Sequence, residues 1–438
     1  MTTIEDRLRA ATRAAAGTVA PGSAPPLRLP DREQHRGPAR RPETGHRWTD
    51  WTAPLAAAVA VTAVIVGVLV ITRLTHLPQH RTGPAGPADT VTVPLRRASS
   101  ILGGAVPPYA VGLAPGPLAA RSTSAVVRAS ASGAVLATLS PPRGYGSFTW
   151  VTGAADDRTF VLAAYGRGPV TGSALAPTVR NATAFFLLRL DPAAGTARLS
   201  PLPVPAQPDL PGMGSAINGI ALSPDGGKLA VALGNQSGPS ELKLFDLRSG
   251  SVRVWQGRRG ARIDGYISAD ELGANPLSWA ADGKTLAVDQ EVGQAINVRL
   301  LDTTAPGGDL WASARAATFP NWPSGSVAGS AIITSDGNKI IGMAVRRQAT
   351  QIQVNEFSAS TGKVLGTIVR LRYRRGAITG WPNVLWSDSS GSTLIVKITK
   401  PGTVASKNGD LTPEVVGVVT RGHFTPLLGI PAGNMLAW

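Results

Sequence analysis

The chain has no cysteine. That removes disulfides, thiolate nucleophiles, zinc ribbons and iron–sulfur ligation at a stroke. Histidine is nearly as scarce, because only His423 lies beyond residue 82. A histidine metal cluster is impossible there, and a Ser–His–acid triad would rest on that one residue. No Gly-x-Ser-x-Gly elbow, P-loop, Gly-x-Gly-x-x-Gly or Asp-x-Asp-x-Asp run occurs, so the common nucleophile, nucleotide and EF-hand signatures are missing. Lysine supplies 8 of the 43 basic residues, and aromatics make up 5% of the chain. Ten of those few aromatics are Trp, so their placement carries information.

What the chain does have is turn formers and aliphatics. Gly (50) and Pro (36) are abundant among 438 residues, and 43% are hydrophobic. Glycine permits positive φ and proline presets φ for turns, so many tight turns are expected. The net charge is +16, and beyond residue 82 there are 32 Lys and Arg against 21 Asp and Glu, or +11. These basic residues are scattered, with short clusters at Arg258-Arg259 and 370–375. Scattered charge reads first as a solvated basic surface. An anionic lipid surface or a cell-wall polymer would also suit it.

Residues 53–72 form a run of 20 without a charge. As a helix at 1.5 Å per residue this spans ~30 Å, the thickness of a bilayer core. Trp48 and Trp51 precede it, Pro54 falls in its first turn, and Arg73 follows; these are interfacial and helix-start positions. The run is too long and too far along the chain for a cleavable signal peptide, and no Ala-x-Ala site follows. Arg36, Arg40, Arg41 and Arg47 lie before it, against Arg73 and Arg81 after it. The positive-inside rule then puts the N-terminus in the cytoplasm and everything from about residue 74 outside.

The expected organisation is a cytoplasmic tail at 1–50, a transmembrane helix at 51–73, a linker at 74–92 and one large domain at 93–438. In the tail, Thr3 and Asp6 form a capping-box pattern for a short helix over 3–17, and Glu5 and Arg9 are an i,i+4 pair. Residues 20–47 are rich in Pro, Arg and Gly and read as disordered. The stretches Ile4-Glu5-Asp6-Arg7-Leu8-Arg9-Ala10-Ala11 and Pro25-Pro26-Leu27-Arg28-Leu29-Pro30 resemble N-terminal segments of actinobacterial membrane proteins associated with extracytoplasmic-function sigma factors. That resemblance implies a cytoplasmic partner for residues 1–50.

The large domain repeats. One motif is a strand, an Asp-Gly turn and a strand: Leu222 through Asp225-Gly226 to Leu229, Trp279 through Asp282-Gly283 to Leu286, and Ile333 through Asp336-Gly337 to Ile340. Trp386 through Gly391 to Leu394 is a fourth copy with one extra turn residue, and Trp150 through Asp156-Asp157 to Phe160 a looser fifth. A second motif alternates with the first. Phe245-Asp246 to Gly250 is its clearest copy, with others ending at Gly133, Gly195, Gly307, Gly362 and Gly422. Four strands per unit, with a unit every ~55–60 residues, is the signature of a propeller blade. The first unit's opening hairpin should lie near Leu113-Ala114-Pro115-Gly116.

The expected fold is therefore all-β: a β-propeller of about six four-stranded blades, with room for a seventh. It follows one transmembrane α-helix and a mostly disordered N-terminal tail. Either the strand at 91–95 or the end at 435–438 would close the ring. The Ser223-Pro224-Asp225-Gly226-Gly227-Lys228 and Ala281-Asp282-Gly283-Lys284 elements resemble those of TolB-like and WD-repeat-like bacterial propellers. The 246–255 stretch ending in Trp255 also resembles quinoprotein propellers, in one copy only.

Candidate chemistry is thin. Trp150, Trp279 and Trp386 stand before the first-motif turns at positions that look equivalent, where other units carry Leu222 and Ile333. Aliphatic replacement points to blade packing. Asp225, Asp282 and Asp336 could suggest calcium, but Asp-Gly turns need Asp for their own backbone. No catalytic, cofactor-binding or metal residue is singled out, and no cofactor is expected. The sequence thus predicts a membrane-anchored, extracytoplasmic, non-catalytic binding, sensing or scaffold module. Its partners would be the bilayer through residues 53–72 and a protein or polymer at the propeller face, not nucleic acid. The alternative is a propeller enzyme acting on a glycan or cell-wall polymer, or a sigma-factor-coupled signalling protein.

Overall fold

The computed structural model describes residues 90–438 apart from 97–105, 115–123, 172–177, 209–216, 235–238, 259–261, 264–274, 293–294, 318–325, 329–330, 335, 347–350, 374–382, 400–413 and 433–434. The expected tail helix over 3–17 and membrane helix over 53–72 fall outside the described residues. Among the described residues no helix is long and apolar enough to cross a membrane.

Six sheets account for nearly all of the regular structure. The first blade runs Leu436–Ala437, Tyr109–Leu113, Ala125–Ala129, Val135–Leu139 from inside to outside. The second runs Tyr145–Gly153, Thr159–Thr171, Thr178–Asp191, Thr196–Pro201, and the third Ile217–Leu222, Lys228–Leu233, Glu241–Asp246, Val252–Gln256. In the fourth, two short inner strands, Arg262–Ile263 and Leu277–Trp279, both pair with Thr285–Val292, followed by Ala295–Asp302 and Ala314–Ala317. The fifth is built likewise, from Ser326–Ala328 and Ile332–Ile333 on Lys339–Arg346, then Gln351–Ser358 and Val364–Arg372. The sixth is Asn383–Ser387, Thr393–Thr399, Glu414–Thr420, His423–Pro426. Neighbouring inner strands touch in cyclic order, which makes the six sheets a ring.

Each blade's second strand is apolar at consecutive positions because both of its faces are covered. In the fourth blade Leu286 and Val288 pack into a cluster with the third blade, while Ala287 packs with Ile333 and Ile340 of the fifth. Alternating side chains thus enter different interfaces. One sheet alone would leave both faces wet, so blades gain their stability from one another.

The ring closes through the C-terminal strand: Val111 pairs with Ala437 and Gly112 with Leu436. The backbone passes so near the second blade that a Cβ on Gly153 would sit 2.5 Å from the Trp438 carbonyl oxygen. The other expected closure, at 91–95, does something else. Val91–Pro94 adds to the outer edge of the second blade, with Thr92 opposite Arg198. In the same way Gly308–Asp309 adds in parallel to Gln256 and Trp255 of the third blade. Just after it, Asp309 caps a four-residue helix, Leu310–Ser313. The first blade's opening hairpin is not near Leu113 as expected. Tyr109–Leu113 is the second strand, and its inner neighbour comes from the far end of the chain.

Candidate functional site: the axial channel

The first-motif turns join inner strands to second strands, and the second-motif turns join third strands to outer ones. Both kinds use the left-handed region: Gly226, Gly283, Gly337 and Gly391 have φ from 59° to 76° in the first, and Gly133, Gly195, Gly250, Gly362 and Gly422 are left-handed in the second. Gly307, expected as a further second-motif turn, is not left-handed, because the fourth blade makes that connection through Gly308–Asp309 and the helix Leu310–Ser313. At the first-motif turn of the second blade stands Asp157, with φ 57°. The fourth copy does not have the extra turn residue the sequence suggested. Its turn follows the pair Ser387–Leu394, so Ser387 and not Trp386 holds the place of Leu222, and a bulge lies farther from the turn, between Val384 and Trp386.

Turn carboxylates are spent on their own turns. Asp282 Oδ1 accepts from the amides of Lys284 and Thr285 at 2.8 and 2.9 Å, and Oδ2 from the Thr285 hydroxyl. Asp225 accepts from the Ser223 hydroxyl at 2.6 Å and the Gly227 amide at 3.0 Å, and these bonds hold its carboxyl below the usual range. Asp336 is held low by Thr334 and Asn338 in the same manner. Asp157 moves the other way: burial first, then the adjacent Asp156 charge, pushes it up to about 6. Among the described residues no three His, Asp or Glu side chains are placed to hold a metal ion.

The tryptophans are not in register with one another. Trp279 pairs with Leu286 just as Leu222 pairs with Leu229 and Ile333 with Ile340. Trp150 lies three residues back from the corresponding Gly153, opposite Ala163, and Trp386 lies one residue back from the corresponding Ser387, opposite Ile395. Trp150 is 1% exposed and donates from Nε1 to the Ile217 carbonyl of the third blade at 3.2 Å. Trp279 donates to Ala221 of the third blade at 3.1 Å, and Lys228 Nζ stands 5.9 Å from its ring centre. Trp438, which does share the Trp279 position, donates to the Ser130 hydroxyl at 3.0 Å. These side chains are wedges between blades. His423 is exposed on the outermost strand of the sixth blade, far from the inner strands. Arg258 is bound to Asp309 at 2.7 Å.

All six inner strands converge on a central cavity of about 260 Å³. Trp279, Ile332, Leu385, Trp386 and Leu436 give it apolar wall, and Asn275, Ser278, Asn383 and Ser387 give it polar atoms. Lys397 is the one ionisable side chain among its described lining residues. It is 8% exposed, lies opposite Asn383, and contacts Glu414 Oε2 at 3.3 Å. The Asn275 amide nitrogen donates to the Ile220 carbonyl at 2.7 Å, and its Oδ1 is buried with no partner. An orphaned amide oxygen costs about 1–3 kcal/mol unless something donates to it.

Lys397 and Asn275 were missed in the sequence, and one signal could have found the lysine. Four residues beyond the first-motif turn, the second strands carry Ala163, Ala232, Asp289, Met343 and Lys397. A basic residue at a position that is small or apolar in three other blades and acidic in the fourth marks a departure from the repeat.

The chain is similar to solved propellers at low identity. TolB from Acinetobacter baumannii is 16% identical over 75% of this chain and 65% of that one, less than two thirds of its length, with a TM-score of 0.43. A TolB described as putative, from Agrobacterium tumefaciens, is 15% identical over 67% and 84%, with a TM-score of 0.37. The β-propeller domain of the Trilobed protease from Pyrococcus furiosus is 11% identical over 64% and 70%, with a TM-score of 0.36. No protein-family model matches the chain, and no curated protein does. At these values the likenesses carry no weight of their own, and the six-blade architecture stands on the strand pairing.

Proposed function

We propose that this protein is a single-pass membrane protein whose propeller lies outside the cytoplasm and acts as a non-catalytic binding module, with the axial channel as its ligand-facing surface. The observation that carries the binding role is the channel itself. It is a shared cavity with aromatic wall, amide groups and one buried lysine already paired with Glu414. Hydrolysis of a glycan by paired carboxylates needs two acids facing one cavity, and the described lining residues include none. Turn carboxylates that might have served are engaged by backbone amides. The membrane part of the reading rests on the uncharged run at 53–72 and on the arginines before it.

The absence of cysteine makes the topology directly testable. A Lys363→Cys variant places one exposed thiol on the propeller. Labelling by an impermeant maleimide in intact cells is expected, and labelling only after lysis would overturn the topology. For the binding role, the full-length chain in detergent is offered model glycan and peptide substrates. No turnover is expected. Turnover that disappears in Lys397→Met, which installs the residue the fifth blade carries as Met343, would overturn the non-catalytic reading.

A further inference from the structure

Three consecutive blades carry an arginine at the same outer-strand position. The last hairpins begin with the pairs Leu190–Ala197, Phe245–Val252 and Leu301–Ala314, and the next outer-strand residue is Arg198, Arg253 or Arg315. In the third blade Arg253 Nη1 donates to the Thr303 carbonyl and, at 3.3 Å, to Ala305 in the following blade. In the fourth, Arg315 Nη1 donates to Ala359 of the following blade at 2.9 Å. These two arginines are staples between blades.

The second blade breaks that pattern twice. Arg198 is exposed and makes no hydrogen bond or ion pair among the described residues. Directly opposite it stands Arg189, also exposed and unpaired; this pair lines up with Thr159, where the third and fourth blades carry Lys228 and Thr285 opposite Asp246 and Asp302, so the last hairpin of the second blade reaches two residues farther. Facing residues on antiparallel strands have Cβ atoms ~5 Å apart, and like charges there destabilise the sheet. The flanking strands put Thr159 beside Arg189 and Thr92 beside Arg198, so a row of four residues crosses the blade. Thr159 gives its hydroxyl hydrogen to Asp156 at 2.6 Å, and Thr92 is exposed. Asp191, two residues on from Arg189, lies on the same face of the strand, where its Oδ1 accepts from the Ala194 amide at 2.9 Å.

We infer that Arg189 and Arg198 form a two-arginine cradle for a phosphate group on the outer face of the second blade. Two guanidinium planes at this spacing offer paired N–H donors to one tetrahedral oxyanion. A bound dianion removes the repulsion that the free pair carries. The +11 charge of the chain beyond residue 82 adds a favourable field. This site is separate from the channel and does not depend on the topology proposed above.

The test titrates inorganic phosphate into the full-length chain in detergent, at low and physiological salt. Wild type is compared with Arg189→Leu, Arg198→Gln and, as control, the exposed Arg143→Gln. Arg189→Leu removes one of two like charges facing each other at an exposed position, so it should melt no lower than wild type while binding phosphate at least tenfold more weakly. Arg198→Gln should weaken binding similarly, and Arg143→Gln should not. Equal affinity in wild type and Arg189→Leu, or an equal loss in Arg143→Gln, overturns the cradle. A second arm competes inorganic phosphate with a soluble glycerophosphodiester. Displacement assigns a phosphodiester headgroup or polymer as the source, and failure to displace assigns free phosphate or a monoester.

Discussion

Compared blade by blade, the inner ring and the outer rim of this propeller are tied together by different polar groups. Around the axis, short neutral groups suffice: the indoles of Trp150 and Trp279, the Asn275 amide, and the hydroxyls of Thr152 and Ser278 all bond to the backbone of an adjacent blade. At the rim the same task falls to Arg253 and Arg315. Blades in a ring converge at the axis and splay outward. Near the axis a hydroxyl reaches the next blade, whereas at the rim only the longest side chain does. The guanidinium also keeps its charge partly in water while it donates. The second blade shows what happens when the rim residue is not used as a staple: its arginine is left facing another arginine.

The comparison breaks hardest at the axis. Trp150→Ala should cost about 3–5 kcal/mol, since it removes a fully buried indole and leaves the Ile217 carbonyl without its donor. A denaturant titration measures this, and a loss near 1 kcal/mol would mean that the wedge is not what joins the second and third blades. The rim should be more tolerant. Arg253→Ala is expected to cost about 1–3 kcal/mol by loss of charge-assisted bonds to the Thr303 and Ala305 carbonyls. The same change at Arg198 should cost nothing. Equal effects at the two positions would erase the distinction between a stapled and an unstapled blade.

The smallest effect sharpens a second contrast, between the turn of the second blade and its counterparts. Asp157→Gly should stabilise the protein at neutral pH, by up to about 1 kcal/mol, because Gly fits φ 57° without Cβ strain. Its pH dependence has a definite sign. The folded-state carboxyl is raised to about 6 from 3.8, so the folded protein binds more protons than the unfolded one between those values. The gain from removing this carboxylate is full above pH 6 and fades as pH falls towards 4. Thermal melts of wild type, Asp157→Asn and Asp157→Gly across that window read it directly. A gain that grows on acidification would contradict the assignment. Asp225 and Asp336, held low, behave oppositely: their contribution is present above about pH 4 and is lost below it.

Much of the fold was legible because its repeats are local. A strand, an Asp-Gly turn and a strand lie within a dozen residues, and the left-handed glycine at 226, 283 and 337 betrays each turn wherever the blade sits. The covered faces of the second strands, such as Leu286-Ala287-Val288, showed that each sheet is sandwiched. The channel was much less legible. Asn275 comes from the fourth blade and Lys397 and Asn383 from the sixth, and they meet only around the axis; Trp386 was read one position out because Ser387, not the tryptophan, pairs with Leu394 ahead of the turn.

The sequence by itself determined most of the strands, their turns and a count of about six blades, because hydrogen-bonded hairpins depend on residues a few positions apart. It also determined the uncharged run at 53–72 and the lack of cysteine and clustered histidine. Tertiary structure alone decided that 435–438 closes the ring while 91–94 flanks the second blade. It likewise decided which arginines become staples and which charge faces the channel. Those outcomes depend on contacts between residues from opposite ends of the domain, such as Val111 with Ala437 and Ser130 with Trp438, 308 positions apart, and ring closure sets them where local pattern cannot.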